Sequence, residues 1–174
     1  ERQAGEAKDV ADWRLRMESE QIHMIDVTQK RATERRAIAK GKIQMRPSTL
    51  ELIRKGELEK GDVLAVARTA GIMAAKETHR LIPLCHPLQL THISVDFHLP
   101  ESRRPINPRE CSVEITASAK GIGKTGFEME ALVAVAVGAL TIYDMCKAAD
   151  RSMTISDIRL VGKSGGKSGL YLAD

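Results

Sequence analysis

Residues 92–99 read HISVDFHL, and residues 111–119 read CSVEITASA. Both stretches alternate between apolar and polar side chains, which is the period of a β-strand with one buried face and one exposed face. A polar loop with three prolines, residues 100–110, joins the two stretches. The pattern therefore predicts two consecutive strands of an antiparallel sheet.

A long apolar helix is predicted downstream of these strands. Thr125 and Glu128 have the T-x-x-E spacing of a capping box, which predicts a helix from Thr125 to about Ala149. Its middle, residues 131–143, contains no charged side chain. A helix that is apolar all round is buried on all sides, so in a domain of this size we expect a subunit contact on one side of it.

The remaining elements complete the fold. They are a strand over residues 37–45, a short helix after a Ser48–Glu51 capping box that ends at Gly56, a helix over residues 63–79 capped by Asp62, and a strand over residues 154–161. Apart from the short helix, the order is β-α-β-β-α-β, the split βαβ motif. This order predicts an α+β, ferredoxin-like fold with helices packed on one face of an antiparallel sheet.

The composition is that of a soluble chain with one domain. The 174 residues are 43% hydrophobic and 29% charged with a net charge of +4, which excludes collagen-like, disulfide-framework and wholly disordered classes. Residues 1–21 carry charges of both signs and are predicted to be a flexible extension, in which Trp13 is the one sign of docking. Residues 22–174 are predicted to be a single domain with a mobile, Gly/Lys-rich C-terminal segment.

The cysteine pattern and the apolar runs bear on location. Cys85, Cys111 and Cys146 show no C-x-x-C spacing, which fits a reducing cytosol. No apolar run approaches the ~20 residues that span a bilayer, and no signal peptide is visible. We therefore expect a cytoplasmic protein without a membrane partner, or a mitochondrial one if a targeting segment has been removed. The spacing of the histidines predicts no metal site.

Two glycine-rich segments partly match phosphate loops. Residues 123–125 and 166–168 read GKT and GKS, but both lack the first glycine of the P-loop pattern, and no helix can follow the second. The lysines of these segments, Lys124, Lys163 and Lys167, still suit phosphate oxygens. A solvated turn explains them equally well.

The segment around His86 is a candidate for chemistry. Pro83 and Pro87 fix the backbone on both sides of it, so a rigid loop presents one imidazole, suited to acid/base work or to holding a ligand. A packed loop histidine is at least as common. Cys85 is a candidate nucleophile, although a lone buried cysteine is more often inert.

The predicted long helix carries acidic residues near its start and an Asp–Lys pair near its end. Asp144 and Lys147 are three residues apart, hence on one helix face. Beside a pocket such a pair serves as acid and base, and otherwise it is an ordinary salt bridge. Glu128 and Glu130 lie in the first turns of the helix, where acidic side chains also suit the helix dipole.

Six ordered segments then indicate a family. They are Met24–Val27, Lys60–Val63, Ile82–Leu88, Gly123–Leu132, Leu140–Ala148 and Lys163–Gly169. Together they resemble the MoaC family of molybdenum cofactor biosynthesis, from about residue 23 to residue 169. The resemblance implies a single catalytic domain with a ferredoxin-like fold, assembled as a hexamer of three dimers. It implies a phosphorus–oxygen lyase that converts 3′,8-cyclo-7,8-dihydroguanosine triphosphate to cyclic pyranopterin monophosphate and pyrophosphate.

The resemblance also assigns roles to residues. It places catalysis on Asp144, Lys147 and Lys60. It places substrate binding on Asp26, Leu84, Cys85, His86, Glu128, Met129, Glu130, Lys163 and Lys167. Such a reaction moves several protons and expels pyrophosphate, which calls for acid/base groups of differing pKa and for cations. No redox step occurs, so no cofactor is expected, with Mg²⁺ left open as a companion of the triphosphate.

Two other functions compete with this interpretation. One is a non-catalytic binder of the pterin precursor, against which the intact Lys60, Asp144 and Lys147 argue. The other is a ferredoxin-like RNA-binding module, which would stack bases on aromatic side chains of its central strands. The two alternating strands contain only Phe97, on the apolar face, so no nucleic acid partner is expected.

The length of the long helix raises a geometric problem. Its Glu128 end and its Asp144 end are separated by roughly 21–24 Å at 1.5 Å per residue, too far for one small substrate to contact both within one chain. Antiparallel pairing with a second copy would bring the two ends together. We therefore expect active sites shared between subunits.

Overall fold

The structure, a computed structural model, describes residues 22–100 and 111–173. Trp13, the rest of the charged extension and residues 101–110 lie outside the described residues, so the predictions made on them stay predictions. The described elements are β1 (Thr33–Gln44), α1 (Pro47–Lys55), α2 (Val63–Lys76), α3 (Thr78–Leu81), β2 (Leu90–His98), β3 (Ser112–Gly123), α4 (Glu128–Cys146), β4 (Thr154–Ser164) and β5 (Tyr171–Leu172).

The strands form one antiparallel sheet in the order β2-β3-β1-β4-β5. Its first four strands have the split βαβ arrangement, in which β1 and β3 lie side by side and β2 and β4 flank them. Helices α2 and α4 pack against each other and against one face of the sheet. The predicted α+β, ferredoxin-like fold is confirmed.

The period-2 pattern of β3 produces the two faces of the sheet. Val113, Ile115, Ala117 and Ala119 are fully buried beneath the helices, whereas Glu114 between them is exposed on the opposite face. Because the alanine side chains are small, the helices approach the strands closely. The strand pattern on which the fold prediction rests is therefore the pattern that builds the core.

Helix α4 is the central helix of the core. Ten of its 19 residues are buried, and a Cβ at Gly71 of α2 would lie only 2.8 Å from the carbonyl oxygen of Ala134. By length and composition α4 is apolar enough to cross a membrane, with a mean hydropathy of 1.6 over eighteen residues, of which 56% are buried inside the chain. Packing on the sheet and on α2 marks it as a core helix. Leu140 remains 58% exposed on its outer side.

Both predicted capping boxes are wrong, and at α1 the reason is a long-range contact. The helix begins at Pro47 with Arg46 as its N-cap, so Ser48 lies inside the first turn. The carboxylate of Asp150 accepts the Arg46 backbone N–H at 2.9 Å and lies 3.3 Å from the Thr49 hydroxyl. A residue about a hundred positions away thus supplies the acceptor that the local motif was expected to supply.

The long helix α4 also begins later than predicted, at Glu128 rather than at Thr125. Phe127, its N-cap, is fully buried, and the Glu128 carboxylate pairs with Lys163 at 2.9 Å instead of capping the helix. Burial of Phe127 therefore sets the start of the helix.

The other helix ends are closer to expectation. Asp62 caps α2 by accepting the Ala65 N–H at 3.0 Å, and Gly56 ends α1 with a φ of 66°, as predicted. The helix expected over residues 63–79 ends at Lys76 and is followed by the one-turn helix α3. The last predicted strand extends to Ser164.

Candidate active site

Three charged side chains meet at the C-terminal end of α4. The Asp144 carboxylate accepts a hydrogen bond from Lys147 Nζ at Oδ1 and one from Lys60 Nζ at Oδ2, each at 2.7 Å. Lys60 Nζ also donates to the backbone carbonyl of Asp144 at 3.1 Å. The three residues predicted to be catalytic therefore form one half-exposed cluster, which we call the lysine–aspartate cluster.

Local sequence explains half of this arrangement. Asp144 and Lys147 are three residues apart at the end of α4, so they lie on one face, and Lys147 is the C-cap. Lys60 comes from the loop between α1 and α2, 84 residues away along the chain. The ion pair within the helix follows from spacing, whereas the tertiary fold brings in the second lysine from the loop between α1 and α2.

The lysine–aspartate cluster has one carboxylate and two ammonium groups. Lys147, and then Lys60, lowers the pKa of Asp144 to about 2 through hydrogen bonds and charge. Asp144 is therefore ionised at neutral pH, where it accepts hydrogen bonds and cannot act as a proton donor. Two ammonium groups face one carboxylate, so the cluster keeps a positive charge that suits an anionic group of a substrate.

A cavity of about 560 Å³ lies at the opposite, N-terminal end of α4. Its volume is in the range of small-molecule sites. Six of the predicted substrate-binding residues line it: Leu84, Cys85, His86, Glu128, Met129 and Glu130. The first turn of α4 and the segment between α3 and β2 thus form a second group of site residues.

Glu130 is the buried carboxyl group of this cavity, 4% exposed. Burial raises the pKa of Glu130 to about 7, and the charge of Glu128 contributes in the same direction. The group therefore exchanges a proton near neutral pH, as acid/base and proton-sharing groups do. Burial, and then the charge of Glu130, also raises the pKa of Cys85. Cys85 is consequently a thiol at neutral pH, and the environment does not activate it as a nucleophile.

Residues 22–32 cover one side of the cavity. His86 Nε2 lies 2.8 Å from the carbonyl oxygen of Ile25, which also lines the cavity. Asp26 accepts the Thr28 N–H at 2.8 Å, and hydrogen bonding by Thr28 lowers the pKa of Asp26. The Asp26 side chain is exposed and is not among the residues that line the cavity, so in this structure it shapes the segment instead.

The two lysines near the C-terminus are placed differently. Lys163 Nζ pairs with Glu128 Oε1 at 2.9 Å, so it lies beside the cavity with its charge matched. Lys167 is exposed in the glycine-rich turn between β4 and β5. Gly166, in the same turn, precedes a strand and not a helix, as expected for a segment that is no P-loop. Their roles toward phosphate oxygens, and the mobility of this segment, stay predictions.

Four polar residues that the motifs did not single out also lie at this end. His23 and Lys30 line the cavity, and Arg35 and Arg36 border a small cleft at the end of β4. Residues 30–36 contain four basic side chains, a signal that could have found Lys30, Arg35 and Arg36 but not His23. Such a charge run is usually a solvated surface, so the signal alone was weak.

The two groups of site residues lie at opposite ends of one helix. Glu130 and Asp144 are separated by about 21 Å at 1.5 Å per residue, and α4 is continuous over its 19 residues. Within residues 22–100 and 111–173, no three His, Cys, Asp or Glu side chains are placed to hold a metal ion.

Known proteins show the same pattern over most of the chain. A model of the MoaC family matches residues 24–166. The cyclic pyranopterin monophosphate synthase of Pelotomaculum thermopropionicum is 58% identical over 151 residues, which cover 87% of this chain and 85% of the relative. That of Roseiflexus sp. is 55% identical over 157 residues, covering 90% and 95%. That of Methylobacterium sp. is 57% identical over 152 residues, covering 87% and 91%. A match of this extent, which includes both ends of α4, shows that the chain belongs to the MoaC family.

Proposed function

We propose that the chain catalyses the reaction for which these relatives are named, the synthesis of cyclic pyranopterin monophosphate. The substrate is 3′,8-cyclo-7,8-dihydroguanosine triphosphate, and pyrophosphate is the second product. The reaction is a phosphorus–oxygen lyase step of molybdenum cofactor biosynthesis. The observation that carries the proposal is the lysine–aspartate cluster, in a chain 58% identical to an enzyme of that name.

The cluster suits the phosphate chemistry of this reaction. A ribose hydroxyl attacks the α-phosphorus and releases its proton to solvent, the bond from that phosphorus to the oxygen that bridges it to the β-phosphorus breaks, and pyrophosphate leaves with the bonding electron pair. Negative charge develops on the leaving oxygen, and fixed cations stabilise it. Lys60 and Lys147 supply two ammonium groups, held 2.7 Å from the oxygens of a single carboxylate.

The cavity at the other end of α4 suits the fused rings of the substrate. Leu84 and Met129 offer apolar contacts, and Glu130, with a pKa of about 7, shares a proton with a ring nitrogen at neutral pH. The adjacent Lys163, paired with Glu128, and the exposed Lys167 are the candidates for the triphosphate. These assignments follow the chemistry of the residues.

A site shared between two subunits accounts for the separation of the two groups. Antiparallel pairing of two copies of α4 about a two-fold axis would place one chain's cavity beside the other chain's lysine–aspartate cluster. The same pairing would cover Leu140, which is 58% exposed in the single chain. We therefore propose a homo-oligomer, with a hexamer of three dimers as its full form.

The rest of the proposal follows from the reaction. It transfers no electrons, so it includes no redox cofactor, and Mg²⁺ enters it only as a companion of the triphosphate. A cytoplasmic location is part of the proposal, and a substrate derived from GTP fits it. RNA binding is not supported, because Phe97, the aromatic residue of β2, packs with the core beneath Arg68 and not on the open face of the sheet.

The test is to incubate the purified protein with the cyclised triphosphate and to measure pyrophosphate and the pterin product. We expect stoichiometric release of pyrophosphate by the wild-type chain and no release from GTP as a control substrate. A non-catalytic binder would bind the cyclised triphosphate, shown by calorimetry, without releasing pyrophosphate. That outcome would contradict the proposed activity.

A further inference from the structure

Asp150 is a buried carboxylate just beyond the catalytic end of α4, and the proposed reaction gives it no role. It is 1% exposed. It accepts hydrogen bonds from the Arg46 backbone N–H at 2.9 Å and the Thr49 hydroxyl at 3.3 Å. It also accepts the N–H of Ser152 at 3.0 Å and its hydroxyl at 2.7 Å. Both oxygens of the carboxylate are thus engaged.

These contacts define the position of Asp150 closely. Burial by itself would raise the pKa of Asp150, but hydrogen bonds from Arg46 and Ser152 outweigh it and hold the pKa at about 2. A buried charge that loses one partner is costly, because its remaining donors and acceptors are left unsatisfied away from water. The carboxylate therefore tolerates little displacement of the groups around it.

Asp150 connects the two parts of the chain that carry the catalytic lysines. On one side it closes the turn after α4, where its own N–H bonds the Cys146 carbonyl at 3.0 Å and Lys147 is the C-cap. On the other side it holds the N-terminus of α1 through Arg46, whose guanidinium also donates to the Ala149 carbonyl. Helix α1 then leads into the loop that carries Lys60.

We propose that Asp150 is a positioning residue, which clamps the turn carrying Lys147 against α1 and thereby sets the distances of both catalytic lysines from Asp144. This inference rests on the proposed function, because it assigns Asp150 to the same reaction. The lysine–aspartate cluster is half exposed, and long side chains in water do not fix their own geometry. Its geometry depends on the backbone that supports it.

The first test is the substitution Asp150→Asn, which keeps the volume but removes the charge and turns one acceptor into a donor. The readout is the pKa of Asp144, followed by carbon-13 NMR of its carboxylate. Loss of a nearby negative charge would by itself lower that pKa. Longer contacts with Lys147 and Lys60 would raise it from about 2 toward 3.8. We expect the pKa of Asp144 to rise by about 0.5 or more. A rise indicates a change in the geometry of the cluster, whereas a fall indicates only the loss of the Asp150 charge.

Kinetics provide a second readout of the same variant. Misplacing groups that act in the transition state lowers kcat with little effect on substrate binding. We expect kcat to fall roughly 10- to 100-fold while KM changes less than about twofold.

The matched control is Thr78→Val. Thr78 is likewise 1% exposed and polar, and its hydroxyl bonds the Ala74 and Ala75 carbonyls at the end of α2. This variant loses buried hydrogen bonds and stability, and we expect it to leave the pKa of Asp144 and kcat unchanged. If Asp150→Asn does not fold, Ser152→Ala removes only the 2.7 Å hydroxyl contact and should raise the Asp144 pKa by a smaller amount.

The inference is overturned if the Asp144 pKa stays the same or falls in the folded variant, or if Thr78→Val changes it equally. If Asp150→Asn does not fold, an Asp144 pKa that stays the same or falls in Ser152→Ala overturns the inference. If the wild-type chain releases no pyrophosphate, the proposed function fails, and the NMR titration still decides whether Asp150 positions the cluster.

Discussion

Lys147 and Lys60 are half-exposed side chains that both contact the carboxylate of Asp144. Exposed ion pairs contribute little to folding, so we expect Lys147→Ala or Lys60→Ala to lower turnover by several orders of magnitude with Tm nearly unchanged. Pyrophosphate release and thermal unfolding measure the two effects. Lys120→Ala is the matched control, because Lys120 forms a similar exposed ion pair with Glu34 on the open face of the sheet. A folded Lys147→Ala protein with more than a tenth of wild-type turnover would show that Lys147 is not catalytic.

The buried carboxyl of Glu130 should make stability depend on pH. Its pKa is about 7 in the folded chain against an ordinary value of 4.5, so the folded state binds a proton more tightly than the unfolded state. Stability from this group is therefore fully present below about pH 4.5 and is lost as the pH rises through 7. We expect Glu130→Gln to be more stable than wild type by a margin that grows between pH 4.5 and 7. Thermal unfolding across this range checks it, and a constant margin would contradict the raised pKa.

These residues differ in how far sequence alone could predict them. The spacing of Asp144 and Lys147 predicts their contact, because residues three apart share a helix face. Lys60 enters through a loop 84 residues away, which no local pattern encodes. The resemblance assigns Glu130 to substrate binding, but no local pattern predicts its burial, which depends on how the N-terminal segment and the segment before β2 cover it.

At the scale of elements, the contact between α2 and α4 is close enough to exclude a methyl group. A Cβ at Gly71 would lie 2.8 Å from the backbone oxygen of Ala134, whereas at Gly138 of α4 the nearest atom would be 3.8 Å away. Gly71→Ala should force the helices apart and lower Tm, although alanine favours a helix. Gly138→Ala should leave Tm unchanged or raise it, because alanine is the better helix former by about 1 kcal/mol. Equal Tm changes in both variants would contradict the close approach.

Sequence patterns predicted the two alternating strands but not the starts of two helices or the shortest strand. Alternation predicted the bounds of β2 and β3 to within a few residues, because every second side chain of a strand faces the core. The starts of α1 and α4 were predicted wrongly because tertiary contacts set them: Asp150 at α1, and the burial of Phe127 at α4. The two-residue strand β5 is too short to show any period.

At the scale of the whole molecule, the proposed shared site predicts complementation. Glu128→Ala and Asp144→Ala should each be inactive, since each damages one end of every site. In a mixed dimer one of the two sites is free of both substitutions, so random mixing should restore roughly a quarter of the sites. Mixing the two proteins after subunit exchange, with each one alone as the control, measures this recovery. Exchange shown by mass spectrometry without recovery would mean that each site is built from one chain.

The fold class of the whole chain could be predicted, because the β-α-β-β-α-β order leaves few compact arrangements. The division of the site into two groups could be anticipated from the length of α4 once the resemblance had assigned residues at both of its ends to the site. Which face of α4 is left open for the proposed second copy could not be predicted, because a stretch without charges looks the same on every side. The exposure of Leu140 becomes visible only once the sheet and α2 have covered the other faces.

The continuity of α4 also restricts how the chain can vary. Glu130 and Asp144 are fourteen residues apart, about 40° short of four full helical turns, so both project from nearly the same side. One inserted residue would rotate one end against the other by about 100° and lengthen the helix by about 1.5 Å. The helix thus fixes the angle and the distance between the two groups of site residues. It should therefore tolerate substitutions but not insertions or deletions. A single alanine inserted after Val137 would rotate the buried residues that follow it, so we expect it to abolish pyrophosphate release and also to lower Tm. One inserted in residues 101–110 should leave activity intact, and pyrophosphate release and thermal unfolding measure both outcomes.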